Sequence, residues 1–104
     1  MKPRYRLARA AKRNLQEIAD YLVDVAGEDV ALRVMDGILA RMVTLADYPR
    51  AGVAADHLGT GVRKFPAGPY MIYYRPSTSG VIEILHVFHG ARDQRKAWRA
   101  EGSD

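Results

Sequence analysis

Six candidates for proton transfer or for stabilising an anion lie on the strands and strand ends of the second half of this chain. They are four cations and two histidines, namely Arg63, Lys64, Arg75, His86, His89 and Arg92. Imidazole exchanges protons near neutral pH, and guanidinium and ammonium groups stabilise negative charge that develops on a phosphate. This set would suit phosphodiester chemistry if the fold brought its members to one face.

Two features of the set argue against a complete catalytic site. Arg63 and Lys64 are neighbours on a predicted strand, so at most one of them can face a given site. His86 and His89 fall on opposite faces of another strand, and a histidine there is more often a hydrogen-bonded structural residue than a catalyst. We therefore predict no catalytic residue in this chain.

The sequence also argues against cysteine and metal chemistry. The chain has no cysteine, which excludes a disulfide, a thiol nucleophile and a thiolate metal site. Its three histidines, His57, His86 and His89, lack the helical HxxxH spacing of a metal site and a nearby pair of carboxylates. We predict no bound metal and no cofactor.

Charge is distributed unevenly along the chain, whose formal net charge is +4. Residues 1–13 contain six bases and no acid, residues 17–56 contain eight acids and three bases, and residues 90–99 contain four bases and one acid. This asymmetry favours a basic surface that meets an acidic protein segment or a phosphate backbone. Charge that serves solubility alone would give the same pattern.

Length and composition indicate one folded domain. A chain of 104 residues accommodates a single core, and a hydrophobic fraction of 48% is typical of a globular protein. No apolar run approaches the roughly 20 residues that a membrane span requires, and the basic N-terminal stretch has no apolar signal-peptide segment. We expect a cytoplasmic protein with no membrane partner.

The first half of the chain predicts a short strand followed by two helices. The segment Tyr5–Leu7 alternates apolar and basic residues, as a half-buried strand does. Apolar residues recur at helical spacing over Arg9–Ala26 and again over Asp29–Asp47. Gly27 ends the first helix, and Pro49 prevents continuation of the second. So short a connection predicts an antiparallel helical hairpin.

The second helix carries more apolar surface than one core face needs. Leu32, Leu39 and Val43 form an additional apolar flank beside its main stripe. Either the helix is deeply seated in the core, or this flank is a hydrophobic surface that a partner covers.

The second half of the chain predicts a loop and then three strands. Proline and glycine break both periodicities over Tyr48–Gly61. The strands that follow are Val62–Pro66, Tyr70–Arg75 and Val81–His89, and the last of these is apolar enough to be buried on both faces. A short C-terminal helix could end near Ala100. The order β-α-α-β-β-β predicts an α+β domain, in which a twisted, mainly antiparallel sheet carries the helical hairpin on one face.

Three stretches, in this order and on these elements, resemble the RelE/ParE superfamily of toxins and, within it, the ParE branch. They are LQEIADYL (Leu15–Leu22), the helix end, loop and aromatic strand of Leu45–Arg75, and ILHVFHGARD (Ile84–Asp93). The resemblance implies one RelE/ParE-like toxin domain over residues 1–93, with residues 94–104 as a tail or short helix.

The resemblance implies a toxin of a type II toxin–antitoxin system that inhibits DNA gyrase by binding and is neutralised by a ParD-like antitoxin. The alternative within the superfamily is a RelE-type ribosome-dependent mRNA endoribonuclease. The tail of that type places a tyrosine where this chain has Trp98, which has no hydroxyl to transfer a proton. His86 stands where the family commonly has an arginine, which leaves open a chain that has lost its toxicity.

We expect the antitoxin to fold a flexible, partly acidic tail into the groove between hairpin and sheet. The antitoxin-binding residues that we predict are Arg4, Arg6, Leu32, Leu39, Val43, Arg63 and Tyr73. The target-binding residues that we predict follow the sheet edge and the basic tail: Arg75, His89, Arg92, Arg95, Lys96, Trp98 and Arg99. Trp98 has a second interpretation, in which it pins the C-terminal helix to the domain.

Overall fold

The computed structural model describes residues 4–91 together with Trp98 and Arg99. Apart from the helical residues Trp98 and Arg99, the described chain contains two helices, α1 (Arg9–Ala26) and α2 (Glu28–Asp47). It also contains five strands, β1 (Tyr5–Leu7), β2 (Val53–Ala54), β3 (Arg63–Ala67), β4 (Tyr70–Arg75) and β5 (Ile82–His89). A single 3-10 turn lies between β2 and β3 at Asp56–Leu58. The predicted α+β architecture is confirmed, with one strand more than predicted.

The two helices form the antiparallel hairpin that the sequence predicts. Helix α1 has the predicted bounds, and α2 begins one residue earlier than predicted. Gly27 ends α1 with a positive φ of 92°, a backbone conformation that glycine adopts without a steric penalty. Glu28 and Asp29 lie in the first turn of α2, where the helix dipole favours negative charge. Neither helix in the described residues is long and apolar enough to span a membrane.

The sheet has the strand order β1-β5-β4-β3-β2. All its pairings are antiparallel except that of β1 with β5, so the prediction of a mainly antiparallel sheet is confirmed. Strand β2 was not predicted, and our assignment of all of Tyr48–Gly61 to a loop is wrong there and at the 3-10 turn. Strand β2 has two residues, which is too short for a period-2 pattern to show in the sequence.

The main core lies between the hairpin and one face of the sheet. Its buried members include Leu15, Ile38, Met42, Leu45, Ile72, Tyr74, Ile84 and Val87. Removal of these apolar side chains from water is the main contribution that holds the hairpin on the sheet.

A bulge in β5 moves side chains to the other face of the sheet. Tyr73 pairs with His86, whereas Tyr74 pairs with Ile84, so Leu85 is an extra residue. As a result, Leu85 and His86 both face away from the helices, while Ile84 belongs to the main core. The prediction that this strand is buried on both faces is confirmed, because Ile82–Phe88 is buried except at Glu83.

Candidate protein-interaction surfaces

An aromatic cluster covers the sheet face opposite the helices. It consists of Tyr73, His86, Phe88 and Trp98. The rings of His86 and Trp98 have centroids 4.3 Å apart, those of Tyr73 and Trp98 are 5.7 Å apart in an edge-to-face contact, and His86 stacks on Phe88 at 5.0 Å. Such contacts add to the energy of burial itself. Trp98 therefore packs on the domain, as the second interpretation of this residue predicts.

Burial in this cluster changes the chemistry of its polar members. The side chains of Tyr73 and His86 are each only 1% exposed. Burial also raises the pKa of Tyr73 to about 12. In this structure neither residue presents its polar atoms to a partner or a substrate, so Tyr73 is not available for the antitoxin contact that we predicted unless Trp98 moves. His86 and His89 lie on opposite faces of the sheet, as predicted.

Two of the predicted cationic residues hold loops in place. Arg63 donates from Nε to the Gly52 carbonyl (3.0 Å) and from a terminal nitrogen to the Arg50 carbonyl (3.2 Å). Arg75 donates from Nε to the Thr60 carbonyl at 3.1 Å. Both guanidinium groups therefore have a structural role, which leaves their remaining N–H groups for any partner contact.

Tyr74 anchors the same loop, a role beyond the sheet packing that its place in an aromatic strand predicts. Its hydroxyl donates to the Pro49 carbonyl at 2.7 Å and accepts from the Gly52 N–H at 2.9 Å. A Cβ atom on Gly52 would lie 2.7 Å from that hydroxyl, so only glycine fits there. These contacts fix the carbonyl groups that Arg63 binds.

The N-terminal arginines form ion pairs at the surface. Arg4 binds Asp47 at 2.7 Å, at the end of α2, and Arg6 lies 3.6 Å from Glu83 on the neighbouring strand β5. Val43 is one helical turn from Asp47, so Arg4 and Val43 lie near each other, as a shared binding surface would require. Exposed pairs of this kind contribute little to stability.

The additional apolar flank of α2 is exposed and not deeply seated, so that interpretation is wrong. Leu32 is 62% exposed, Leu39 36% and Val43 53%. We call these three residues the outer stripe. Val23 of α1 is also an exposed apolar residue, at 45%. An exposed apolar stripe of this length is typical of a surface that a partner covers.

A groove of about 260 Å³ lies between α2 and the β3–β4 turn. We call it the α2–turn groove, and it is lined by Arg33, Val34, Gly37, Ile38, Ala40, Arg41, Ala67, Gly68 and Pro69. No member of the outer stripe lines it. Leu39 and Gly37 are two residues apart, or roughly 200° around the helix, so they lie on opposite flanks of α2. The structure therefore does not bring the predicted apolar contacts into a groove between hairpin and sheet.

A second cavity, of about 310 Å³, lies where α1 crosses the ends of β4 and β5. Its lining residues are Asn14, Glu17, Ile18, Tyr21, Tyr70, Val87 and His89. The rings of Tyr70 and His89 make an edge-to-face contact at 5.6 Å. Burial, with a smaller contribution from Tyr21, raises the pKa of Tyr70. His89, a predicted target contact, is thus accessible beside α1 and apart from Arg75.

The remaining predicted target contacts belong mostly to the tail. Arg92, Arg95 and Lys96 lie outside the described residues, while Arg99 is helical and exposed beside Trp98. In the part of the chain that the structure describes, no group of three or more acidic or histidine side chains could hold a metal ion.

Solved structures share this fold. A chain of the chromosomal ParDE toxin–antitoxin system of Pseudomonas aeruginosa superposes with a TM-score of 0.71 at 22% identity, over 84% of this chain and 95% of that chain. A chain of the Mycobacterium tuberculosis toxin–antitoxin complex RelBE2 superposes with a TM-score of 0.53 at 20% identity, over 86% of this chain and 99% of that chain. A helical hairpin on one face of a small, mainly antiparallel sheet is thus an architecture found in toxin–antitoxin complexes.

Sequence relatives define the family. Toxin ParE1 of M. tuberculosis is 34% identical over 93 residues, which cover 89% of this chain and 95% of the relative. Toxin ParE1 of Caulobacter vibrioides is 30% identical over 95 residues, with 91% and 96% covered. Residues 5–94 match the family described as the ParE toxin of the type II toxin–antitoxin system parDE. The chain belongs to the ParE toxin family and is a toxin of a type II toxin–antitoxin system.

Proposed function

We propose that this toxin arrests growth by binding DNA gyrase, without catalysis of its own, and that a ParD-like antitoxin neutralises it. Action on gyrase would place the protein in the cytoplasm. The toxin then has two cytosolic protein partners, gyrase as its target and the antitoxin as its inhibitor. It contacts DNA only indirectly, through one of these two partners.

The observation that carries the proposal is the closed sheet face opposite the helices. RNA cleavage through the 2′-hydroxyl needs an accessible base and acid with pKa values near the working pH. On this face the imidazole of His86 and the phenol of Tyr73 are each 1% exposed, and the pKa of Tyr73 is about 12. A phenol with that pKa stays protonated near pH 7 and is a poor base. The face therefore supports action by binding.

One arrangement favours the RelE-type alternative. Lys64 pairs with Tyr73 on β4, and Arg75 pairs with Glu83 on β5, so alternation along the strands places both cations on this same face. Cations on one face could hold an RNA backbone. mRNA cleavage is therefore the second outcome that the test must be able to detect.

The test uses the purified chain in two reactions. Increasing amounts of toxin are added to gyrase with supercoiled plasmid and ATP, and to ribosomes programmed with a defined mRNA. We expect protein-linked linear DNA to accumulate and the mRNA to remain intact. Cleavage of the mRNA at defined positions, with gyrase unaffected, would support the RelE-type alternative and refute our proposal. If neither substrate changes, gyrase is not the target, and the result favours a chain that has lost its toxicity.

A pair of variants locates the contact. Arg99→Glu changes an exposed, predicted target contact, and Arg9→Glu makes the same charge change at the exposed first residue of α1. We expect Arg99→Glu to reduce linear DNA by about tenfold or more and Arg9→Glu to leave it near the wild-type level, because reversal of a charge at a protein interface costs about 1.4 kcal/mol or more. Equal effects of the two variants would show that only the overall charge matters.

A further inference from the structure

The α2–turn groove carries the only cations of the hairpin beyond the first turns of α1. From Asn14 to Pro49 the chain has seven acids and two bases, and the bases are Arg33 and Arg41. Both line this groove, together with apolar and backbone atoms and no acidic side chain. A segment that is acidic overall therefore presents one local positive site, and it does so at a concave apolar surface.

Both arginines are exposed and available. Among the described residues, the ion pairs are those of Arg4 with Asp47 and of Arg6 with Glu83, and neither Arg33 nor Arg41 takes part in them. Asp36 lies one turn from Arg33, yet it does not form an ion pair with it within the described structure. Two exposed guanidinium groups beside apolar surface can each bind a carboxylate through two parallel N–H groups.

Gly37 lies midway between the two arginines and opens the groove. Glycine in a helix interior is roughly 1 kcal/mol less favourable than alanine. An ideal Cβ atom on Gly37 would meet no other atom within 4 Å, so packing inside the chain does not require a glycine there. The missing side chain instead leaves backbone accessible in the groove.

We propose that the α2–turn groove binds an acidic, extended segment of the antitoxin, with two carboxylates on Arg33 and Arg41 and an apolar side chain between them over Gly37. The α-carbons of the two arginines are eight residues apart along α2, or about 12 Å. An extended chain rises about 3.3 Å per residue, so four residues span that distance. The segment therefore carries acids at positions i and i+4 with an apolar residue midway.

This inference rests on the proposed function in one respect, because it takes the occupant to be the antitoxin tail. It also assigns different residues to the antitoxin tail than the sequence predicts, namely the arginines of the α2–turn groove in place of the outer stripe and Arg63. The outer stripe lies on the other flank of α2, and Arg63 binds loop carbonyls. The α2–turn groove has both the shape and the charge that an acidic tail requires, whereas the outer stripe lies beside Asp29, Asp36 and Asp47 of the same helix.

The experiment is a titration of the ¹⁵N-labelled full chain with the blocked peptide Glu-Ala-Leu-Ala-Glu, followed by NMR. We expect the amide signals of Gly37 and Gly68 to shift, because these two residues lie on opposite walls of the groove. The same peptide with lysine in place of glutamate should give no shift there. Higher salt should weaken binding, since exposed charges are screened.

Variants test each part of the site. Arg33→Glu and Arg41→Glu should each raise Kd about tenfold or more, as loss of a hydrogen-bonded charge pair does. Arg9→Glu makes the same change in net charge outside the groove and should leave Kd unchanged. Gly37→Leu should abolish binding. Gly37→Ala should raise both Kd and the melting temperature, a combination that a purely structural glycine would not give.

The outcomes separate this inference from the proposed function. If the acidic peptide shifts no groove amide, or binds the two arginine variants as well as the wild type, the groove assignment is wrong. The titration needs neither gyrase nor ribosomes, so that failure would leave the proposed toxin activity intact. If instead the peptide binds as expected and gyrase is unaffected in the first assay, the target is wrong and the groove stands.

Discussion

Removal of the Tyr74 hydroxyl should destabilise the fold by about 2–4 kcal/mol. The variant Tyr74→Phe keeps the buried ring but leaves the Pro49 carbonyl and the Gly52 N–H without the partner that each has at 2.7 Å and 2.9 Å. A buried polar group that loses its partner costs about 1–3 kcal/mol. We take the lower part of that range for Pro49, because its hydrogen bond is only partly buried.

Thermal and urea unfolding, followed by circular dichroism, measure this effect. For a domain of this size, 1 kcal/mol corresponds to roughly 4–8 °C, so the melting temperature should fall by about 8–32 °C. Tyr48→Phe is the matched control, because it removes the same hydroxyl group from a side chain that is 67% exposed. We expect the control to stay within about 0.5 kcal/mol of the wild type.

A functional consequence follows from the same contacts. Gly52 also provides a carbonyl to Arg63, so Tyr74→Phe should loosen the loop that orients this guanidinium group. If Tyr74→Phe unfolds at the same urea concentration as Tyr48→Phe, the two hydrogen bonds do not stabilise the loop. The assignment of Tyr74 as its anchor would then be refuted.

Three further predictions concern the outer stripe and the aromatic cluster. Leu39→Asp should leave the chain folded with a somewhat lower melting temperature, because Leu39 is 36% exposed and therefore partly packed, and should weaken antitoxin binding in a calorimetric titration; unchanged affinity would exclude the outer stripe. The pKa of Tyr73 is about 12 in the folded chain and 10 when exposed, so the stability that its neutral form contributes is complete below pH 10 and is lost as the pH rises towards 12. Tyr73→Phe should remove that part of the decline in alkaline urea titrations, and an unaltered decline would contradict the burial of the phenol. Trp98→Ala should cost about 1–3 kcal/mol, below the range for a fully buried tryptophan, and the single tryptophan of the native chain should fluoresce at shorter wavelength than free tryptophan.

The sequence alone was enough to predict the secondary structure in the helical half. Apolar spacing of about 3.6 residues and the stop at Gly27 are local signals, so α1 was predicted with its observed bounds and α2 to within one residue. The strands β4 and β5 could also be predicted from the sequence, because β-branched and aromatic residues cluster there. The resemblance of three stretches to the ParE branch then agreed with the family that the relatives define.

The two surfaces of α2 could be distinguished only in the folded chain. Helical spacing showed that Leu32, Leu39 and Val43 share a flank, but it did not reveal whether core or solvent lies beside that flank. Arg33, Gly37 and Arg41 drew no attention in the sequence, because the other wall of their groove comes from the β3–β4 turn, about thirty residues later. Contacts between distant segments leave no periodic pattern in either one.

Tertiary structure also determined which of the candidate chemical groups are accessible to solvent. Residue types alone made His86 a candidate for proton transfer, and period-2 alternation correctly separated it from His89. The bulge at Leu85 and the packing of Trp98 bury the imidazole in an aromatic cluster. The bulge depends on the pairing of β4 with β5, and the packing of Trp98 depends on a contact between the tail and the sheet. The sequence by itself thus determined the helices, the longer strands and the family. The pairing of distant segments determined which side chains solvent and partners can reach, because accessibility is a property of neighbours in space.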